Sequence, residues 1–347
     1  MLSTKTLLLP FISVAAIASS ANANDQIKIV GSSTVYPFTS YVAEEFGATT
    51  GNKTPVVEST GTGGGMKLFC AGVGSNTPDF TNASRPMKVA EFEICQENGV
   101  KNIVGMKVGY DGVAIAQNKD NEALDLTLEQ LFLALAQEVP SKDGKSLVAN
   151  PYKKWSDIDN TLPNREIKMI GAPSTSGTRD SFDEMVMEHA SKSFPVYNGE
   201  PYKKIRTDGV YIPGGENDNL IVQKLAQDKD AMGYFGYSFL EENRDKIKGV
   251  TLNGVEPNAK NISSGEYPIA RSIFIYMKKD HMGKTKGLEE FIKLYSSEAM
   301  TGENGVLKTI GLIPMPSDEH KLTQETIKSL AVITPEMVKA GLTNPAK

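Results

Sequence analysis

The chain has 347 residues, roughly twice what one hydrophobic core usually serves, so two structural units are expected. With 37 Lys and Arg against 42 Asp and Glu the net charge is −5. This mildly acidic balance argues against nucleic acid and anionic membranes as partners, and leaves room for a small anion held by local donors. The composition is that of an ordinary globular α/β protein, with no low-complexity tract and no fixed-period repeat.

Residues 1–23 contain Lys5, the apolar run 7–18 and the small-x-small site Ala21-Asn22-Ala23, the pattern of a secretory signal peptide cleaved near Ala23. The run is shorter than the roughly twenty apolar residues of a membrane span, and no later segment approaches that length. No cysteine stands directly after the cleavage site, so an exported chain without a lipid anchor is expected. Cys70 and Cys95 are the two cysteines. In an oxidising compartment a single disulfide is the expectation, worth about 3 kcal/mol in the chain-entropy model, with two buried thiols as the alternative. Two cysteines alone do not make a metal site.

The mature chain opens with a short alternating strand at 27–30 and then Gly31-Ser32-Ser33-Thr34-Val35, leading into Tyr41, Val42 and Phe46 at helical spacing. The same plan follows at once: a strand at 55–57, the run Ser59-Thr60-Gly61-Thr62-Gly63-Gly64-Gly65, then Leu68, Phe69 and Ala71. It recurs at 171–182, GAPSTSGTRDSF, between a strand at 167–170 and a helix carrying Phe182, Met185, Val186 and His189. A helix start leaves backbone N–H groups without partners and carries partial positive charge, so strand-to-helix turns rich in Ser, Thr and Gly suit an oxyanion. The plainer reading is ordinary N-caps. Between these turns, Ser84-Arg85-Pro86 offers a guanidinium that either clamps an anion or pairs with Asp79 or Glu91.

The strands predicted further on lie at 103–108, 113–117, 210–213, 232–237 and 267–277. Helices are predicted at 124–136, 220–226 and 287–296, with Asp218 and Asn219 as caps of the second. Trp155 reads as a packing residue, and the chain after Ser317 as a polar tail wrapped on the surface. The glycine run fails the nucleotide motifs, because Met66 stands where a dinucleotide fingerprint needs glycine and Leu68 where a phosphate-binding loop needs Ser or Thr. Nor is a catalytic site expected. The chain has only His189, His281 and His320, none of them in a glycine-rich turn, and it has no Gly-x-Ser-x-Gly elbow and no metal-ligand spacing. A phosphatase or esterase built on the serine turns is the competing class.

The segments GSSTVYPFTS, STGTGGGMKLFCAG, DFTNASRPMK, SGTRDSF, GGENDNLIVQKLA, MGYFGYSFLEENRDK and YPIARSIFIYM carry a resemblance. In this order, and over the mature chain to about residue 317, the sequence resembles the phosphate-binding proteins of phosphate ABC transporters, the PstS family, most closely its SphX-like branch.

The resemblance implies a class II periplasmic binding protein fold, α/β throughout, with two domains joined by two hinge crossovers. The expected domains are 24–108 with 252–347, and 109–251, with crossovers near 109–112 and 235–240. It implies a monomeric periplasmic receptor, without cofactor or metal, that takes inorganic phosphate and presents it to a membrane permease. The family's ligands fall on Thr34, the Val35 amide and Thr62, and on Ser176, the Gly177 amide and Thr178. Two positions depart from the family pattern. Ala172 stands where the better-known members have an arginine, leaving Arg179 as the nearest substitute. Ser84 and Arg85 stand where they place the aspartate that accepts the proton of hydrogen phosphate. Asp111, Asp180 or Asp218 is expected to replace that acceptor, and without one sulfate or arsenate becomes a competing ligand.

Overall fold

A computed structural model describes residues 24–174, 176–215 and 217–342, so the expected signal peptide at 1–23 lies outside the described residues. Nine strands form one sheet: β1 (Lys28–Gly31), β2 (Val56–Ser59), β3 (Phe80–Ala83), β4 (Ile103–Asn118), β5 (Met169–Gly171), β6 (Tyr211–Pro213), β7 (Met232–Gly236), β8 (Ile247–Gly249) and β9 (Ala270–Lys278). Their order is β2-β1-β3-β9-β4-β7-β5-β6, with β8 also on β4. The pairs among β1, β2 and β3 are parallel, as are β7 with β5 and β5 with β6, whereas β9 and β4 run antiparallel to their neighbours.

β4 holds this arrangement together. At 16 residues it is two to three times the usual strand length of about 5–6, because its two ends serve different cores. Val104, Met106 and Val108 pack with α1 (Tyr36–Thr50) and the helix Leu288–Tyr295 in one cluster, while Val113, Ala114, Ile115 and Ala116 belong to another with Phe182, Tyr234 and Trp155. Burial on both faces makes the strand a near-continuous apolar run rather than an alternating one. Trp155 is wholly buried in that second core, as a packing residue.

Residues 252–269, expected with the first unit, pack instead in the second cluster through Leu252, Ile262, Tyr267 and Ile269. The segment 235–240 lies there too, and the chain passes back to the first cluster along β9, paired with β4 from Ala270 opposite Gly112 to Lys278 opposite Ile103. The helix Asp218–Gln227 is capped by Asn217, whose side chain accepts from the Asn219 amide, rather than by Asp218 or Asn219.

The C-terminal segment is integral to the first unit rather than a surface tail. In the helix Ser317–Ser329, His320, Thr323, Thr326 and Ile327 are buried, and Ile333 donates its amide to the Ile103 carbonyl at the end of β4. Glu319 of the same helix accepts from Lys107 Nζ at 2.5 Å and from the Tyr110 hydroxyl at 2.6 Å, on the crossing part of β4. Burial, with that carboxylate, pushes the Tyr110 hydroxyl well above its ordinary pKa.

α2 (Thr62–Phe69) lies hard against the first strands, and Cys70 just beyond it is disulfide-bonded to Cys95 on the helix Val89–Glu97. A Cβ on Gly65 would stand 2.5 Å from Gly31 Cα and 2.7 Å from Thr81 Oγ1, so only glycine lets α2 approach. Gly65→Ala is expected to lower stability by about 1–3 kcal/mol, the usual cost of overpacking. An unchanged urea midpoint would show that α2 has room to move out.

At the other end of β9, Lys278 is fully buried, donating to the Gly72 carbonyl (2.7 Å) and the Thr77 hydroxyl (2.9 Å). Burial pushes its ammonium down to about 8. The folded protein therefore releases this proton before the unfolded chain does, so the cost of burying the charge is constant below about pH 8 and fades towards the unfolded value near about 10.4. Relative to Lys278→Met, the wild type is expected to gain stability between about pH 7.5 and about pH 9.5 in urea unfolding. A difference independent of pH would show that the charge is not what burial penalises.

Candidate functional site

Because β1, β2 and β3 are parallel neighbours, their carboxyl ends open on one edge of the sheet, where an α/β fold places its ligands. β1 ends in Ser32, Ser33 and Thr34 ahead of α1, β2 in Gly61, Thr62 and Gly63 at the start of α2, and β3 in Ser84 and Arg85. These residues line a cavity of about 420 Å³. Thr62 Oγ1 and Ser84 Oγ are 3.0 Å apart, and the Ser84 amide donates to Thr62 Oγ1 at 3.1 Å, so the second and third turns are tied to one another.

The opposite wall comes from the second core. β5 leads to Ser176, which caps α3 (Gly177–Phe182) by accepting the Thr178 amide at 3.2 Å, and the helix continues through a wide turn, Asp183–Met187. Asp180, Asp183 and Glu184 of this helix face the cavity. The two walls touch: a Cβ on Gly177 would lie 3.0 Å from the Ser33 carbonyl oxygen, Ser33 Oγ donates to Asp180 Oδ2 at 2.6 Å, and the Thr34 and Ser181 hydroxyls are 3.2 Å apart.

Of the residues expected from sequence, Thr34, Thr62, Ser84, Arg85 and Asp180 line the cavity together. Val35, at the N-cap of α1, is wholly buried and does not line the cavity. Ser176, Gly177 and Thr178 form the start of α3 against the first turn and do not line the cavity. Arg85 makes the ion pair that the plainer reading allowed, bidentate to Glu91 at 2.7 and 2.9 Å, while still facing the cavity. The Glu91 partner and burial act in opposite senses on that guanidinium, and the partner wins, raising its pKa.

Arg179 does not stand in for the missing arginine. Its Nε donates to Asp183 Oδ1 at 2.7 Å, four residues on along the helix, and its guanidinium lies 5.1 Å from the Tyr211 ring centre, turned into the second core. Burial pushes the Asp183 carboxyl up in spite of that cation. Asp218 is also elsewhere, with Oδ2 accepting from the Gly236 amide at 3.2 Å. Asp111 lies on the crossing part of β4, where it accepts from Ser181 Oγ at 3.1 Å behind the cavity.

Arg85, Lys88 and Lys203 also line the cavity, but the cation that joins its two walls is Arg271, a residue sequence reasoning did not single out. It stands on β9 directly opposite Asp111 of β4, with its Nε 3.6 Å from Asp111 Oδ2. Its Nη2 donates to Thr34 Oγ1 at 2.9 Å and to Ser181 Oγ at 2.6 Å, one hydroxyl from each wall, and its Nη1 donates to Glu184 Oε2 at 2.5 Å. The available signal was a lone cation in the apolar strand pattern YPIARSIFIYM. Chemically the cavity offers hydroxyl, guanidinium and Lys88 ammonium donors on one wall, and on the other carboxylate acceptors with Lys203 among them. Among the described residues no cluster of His, Cys, Asp and Glu could hold a metal ion.

The model of the PBP superfamily domain matches residues 16–299. Protein SphX of Synechococcus elongatus is 30% identical over 329 residues, covering 91% of this chain and 87% of its own length. The phosphate-binding protein PstS of Staphylococcus saprophyticus is 29% identical over 319 residues, covering 90% of this chain and 88% of its own. The crystal structure of a possible phosphate binding protein from Planctomyces limnophilus matches with a TM-score of 0.71 at 29% identity, over 89% of this chain and 99% of that one. The chain belongs to the PBP superfamily, and within it to the family of the SphX and PstS proteins.

Proposed function

We propose that this chain is the substrate-binding receptor of a phosphate ABC transporter, a periplasmic protein that holds inorganic phosphate in the cavity between its two units and presents it to a membrane permease. The observation that carries this reading is the convergence of Thr34, Thr62, Ser84 and the Arg271 guanidinium on one polar cavity. Micromolar capture needs about −8 kcal/mol, and hydrogen bonds to a charged group contribute roughly 1.5–3 kcal/mol each, so four or five such donors suffice after closure costs and one turn alone does not. The units hinge where β4 and β9 cross between the cores, and a ligand bridging Thr34 and Arg271 to α3 favours the closed state.

Catalysis finds no support in the lining. No histidine lines the cavity itself, His189 lining the adjoining pocket that shares Ser84 and Arg271, and an unactivated serine or threonine is a poor nucleophile. Asp180 is the carboxylate best placed to accept the proton of hydrogen phosphate, since it faces the cavity and already reaches the first turn through Ser33.

Calorimetric titration with phosphate, sulfate and arsenate tests the reading. Arg271→Lys keeps the charge but loses the planar fork, and is expected to weaken phosphate binding about tenfold or more; wild-type affinity in this variant would remove Arg271 from the site. Asp180→Asn is expected to narrow the preference for phosphate over sulfate, because the lost carboxylate both accepts the phosphate proton and repels an aprotic anion. An unchanged ratio of the two affinities would mean that the acceptor lies elsewhere.

A further inference from the structure

Three arginines lie at or behind the cleft, and each is held by a carboxylate, but the three pairs differ in how easily they part. In the Arg85–Glu91 pair the side chains are 24% and 19% exposed, and in the Arg179–Asp183 pair 12% and 16%. Separating either would strand a charge in a poorly solvated place, which is costly. The third pair is asymmetric: Arg271 is 11% exposed, whereas its partner Glu184 is 51% exposed. Glu184 can therefore swing into water and recover its hydration, while Arg271 stays fixed by Thr34, Ser181 and Asp111.

Glu184 is also the one of these partners that reaches from one core to the other, from the wide turn Asp183–Met187 to β9, and it faces the cavity from beside the anion's own donors. Its carboxylate oxygen sits 2.5 Å from Arg271 Nη1, the position a phosphate oxygen would take on the same N–H.

We infer that Glu184 is a built-in competitor for the anion site, occupying Arg271 while the cleft is empty and displaced into solvent when the ligand arrives. This rests on the proposed binding of a tetrahedral anion at Arg271. Binding then exchanges one anionic partner for another at Nη1, beside the Asp111 carboxylate that lies 3.6 Å from Nε. A tethered competitor acts at an effective concentration in the millimolar range, which an external ligand has to outcompete. Because the displacement costs the same whatever ligand enters, Glu184 raises the threshold for all anions without changing their ranking. Weak, abundant anions fall below that threshold, and a ligand making several further hydrogen bonds passes it.

The test is calorimetric titration of inorganic phosphate into the wild type, Glu184→Gln and Glu184→Ala. Both substitutions remove the competing charge at a half-exposed position, so both are expected to bind phosphate more tightly, by about two- to fivefold. The ratio of phosphate to sulfate affinity is expected to remain as in the wild type. Unchanged or weaker phosphate binding in both variants, with the wild type binding normally, would overturn the inference and leave the phosphate reading standing, since Glu184 would then be orienting Arg271 rather than competing for it. Absence of phosphate binding by the wild type would overturn the reading and the inference with it.

Discussion

A guanidinium that is only 11% exposed is the constraint around which the middle of this molecule is arranged. A buried charge without partners is expensive, so the fold has to deliver acceptors to Arg271 wherever the chain can supply them. It does so with four residues from three separate segments: Thr34 after β1, Asp111 opposite on β4, and Ser181 and Glu184 from α3 and the turn that extends it. Two of these belong to the first wall or the crossing strand and two to the second wall. The cation consequently sits where the two cores meet, and any motion of one core relative to the other changes its set of partners.

The sheet makes this meeting possible. β4 and β9 are the strands shared by both cores, and their antiparallel register places Arg271 against Asp111 at the crossing. The parallel order of β1, β2 and β3 brings three turns to one edge, and β5 brings the fourth turn opposite. Glycine sets how close these parts come. Gly65 lets α2 rest on β1, and Gly177 lets α3 touch the Ser33 carbonyl, so backbone comes close enough for the hydroxyls of the facing turns to reach one another.

Much of this was legible in the sequence, for identifiable reasons. Thr34, Thr62 and Ser84 stand in strand-to-helix turns, where position and residue type both point to a ligand, and all three line the cavity. The failures share a cause. Arg179 lies near Ser176 in sequence, but helical spacing aims it at Asp183, four residues away, and at the Tyr211 ring. Arg271 was passed over because it interrupts an otherwise ordinary apolar strand, and its importance depends on a register across β4 that no local pattern reveals. The chain beyond Ser317 read as a tail because its helix is polar on most faces. The narrow face that it buries, with His320, Thr323 and Ile327, is recognisable only once Lys107 and Tyr110 are seen to need Glu319.

The two walls are not equivalent. The first supplies hydroxyls and arginine, and the second, beside Lys203 and the displaceable Glu184, supplies Asp180 and Asp183. A fully deprotonated tetrahedral anion such as sulfate can only accept hydrogen bonds, so it would meet favourable partners on one side and like charge on the other. Hydrogen phosphate carries both kinds of group, oxygens that accept and one O–H that donates. It can turn the O–H towards a carboxylate while the remaining oxygens face the donors. Attraction alone would not discriminate between two anions of the same shape; on the proposed reading a repulsive wall would, by penalising the one that has no proton to offer. In this view the acidic face of the cleft is part of the recognition rather than an obstacle to binding an anion.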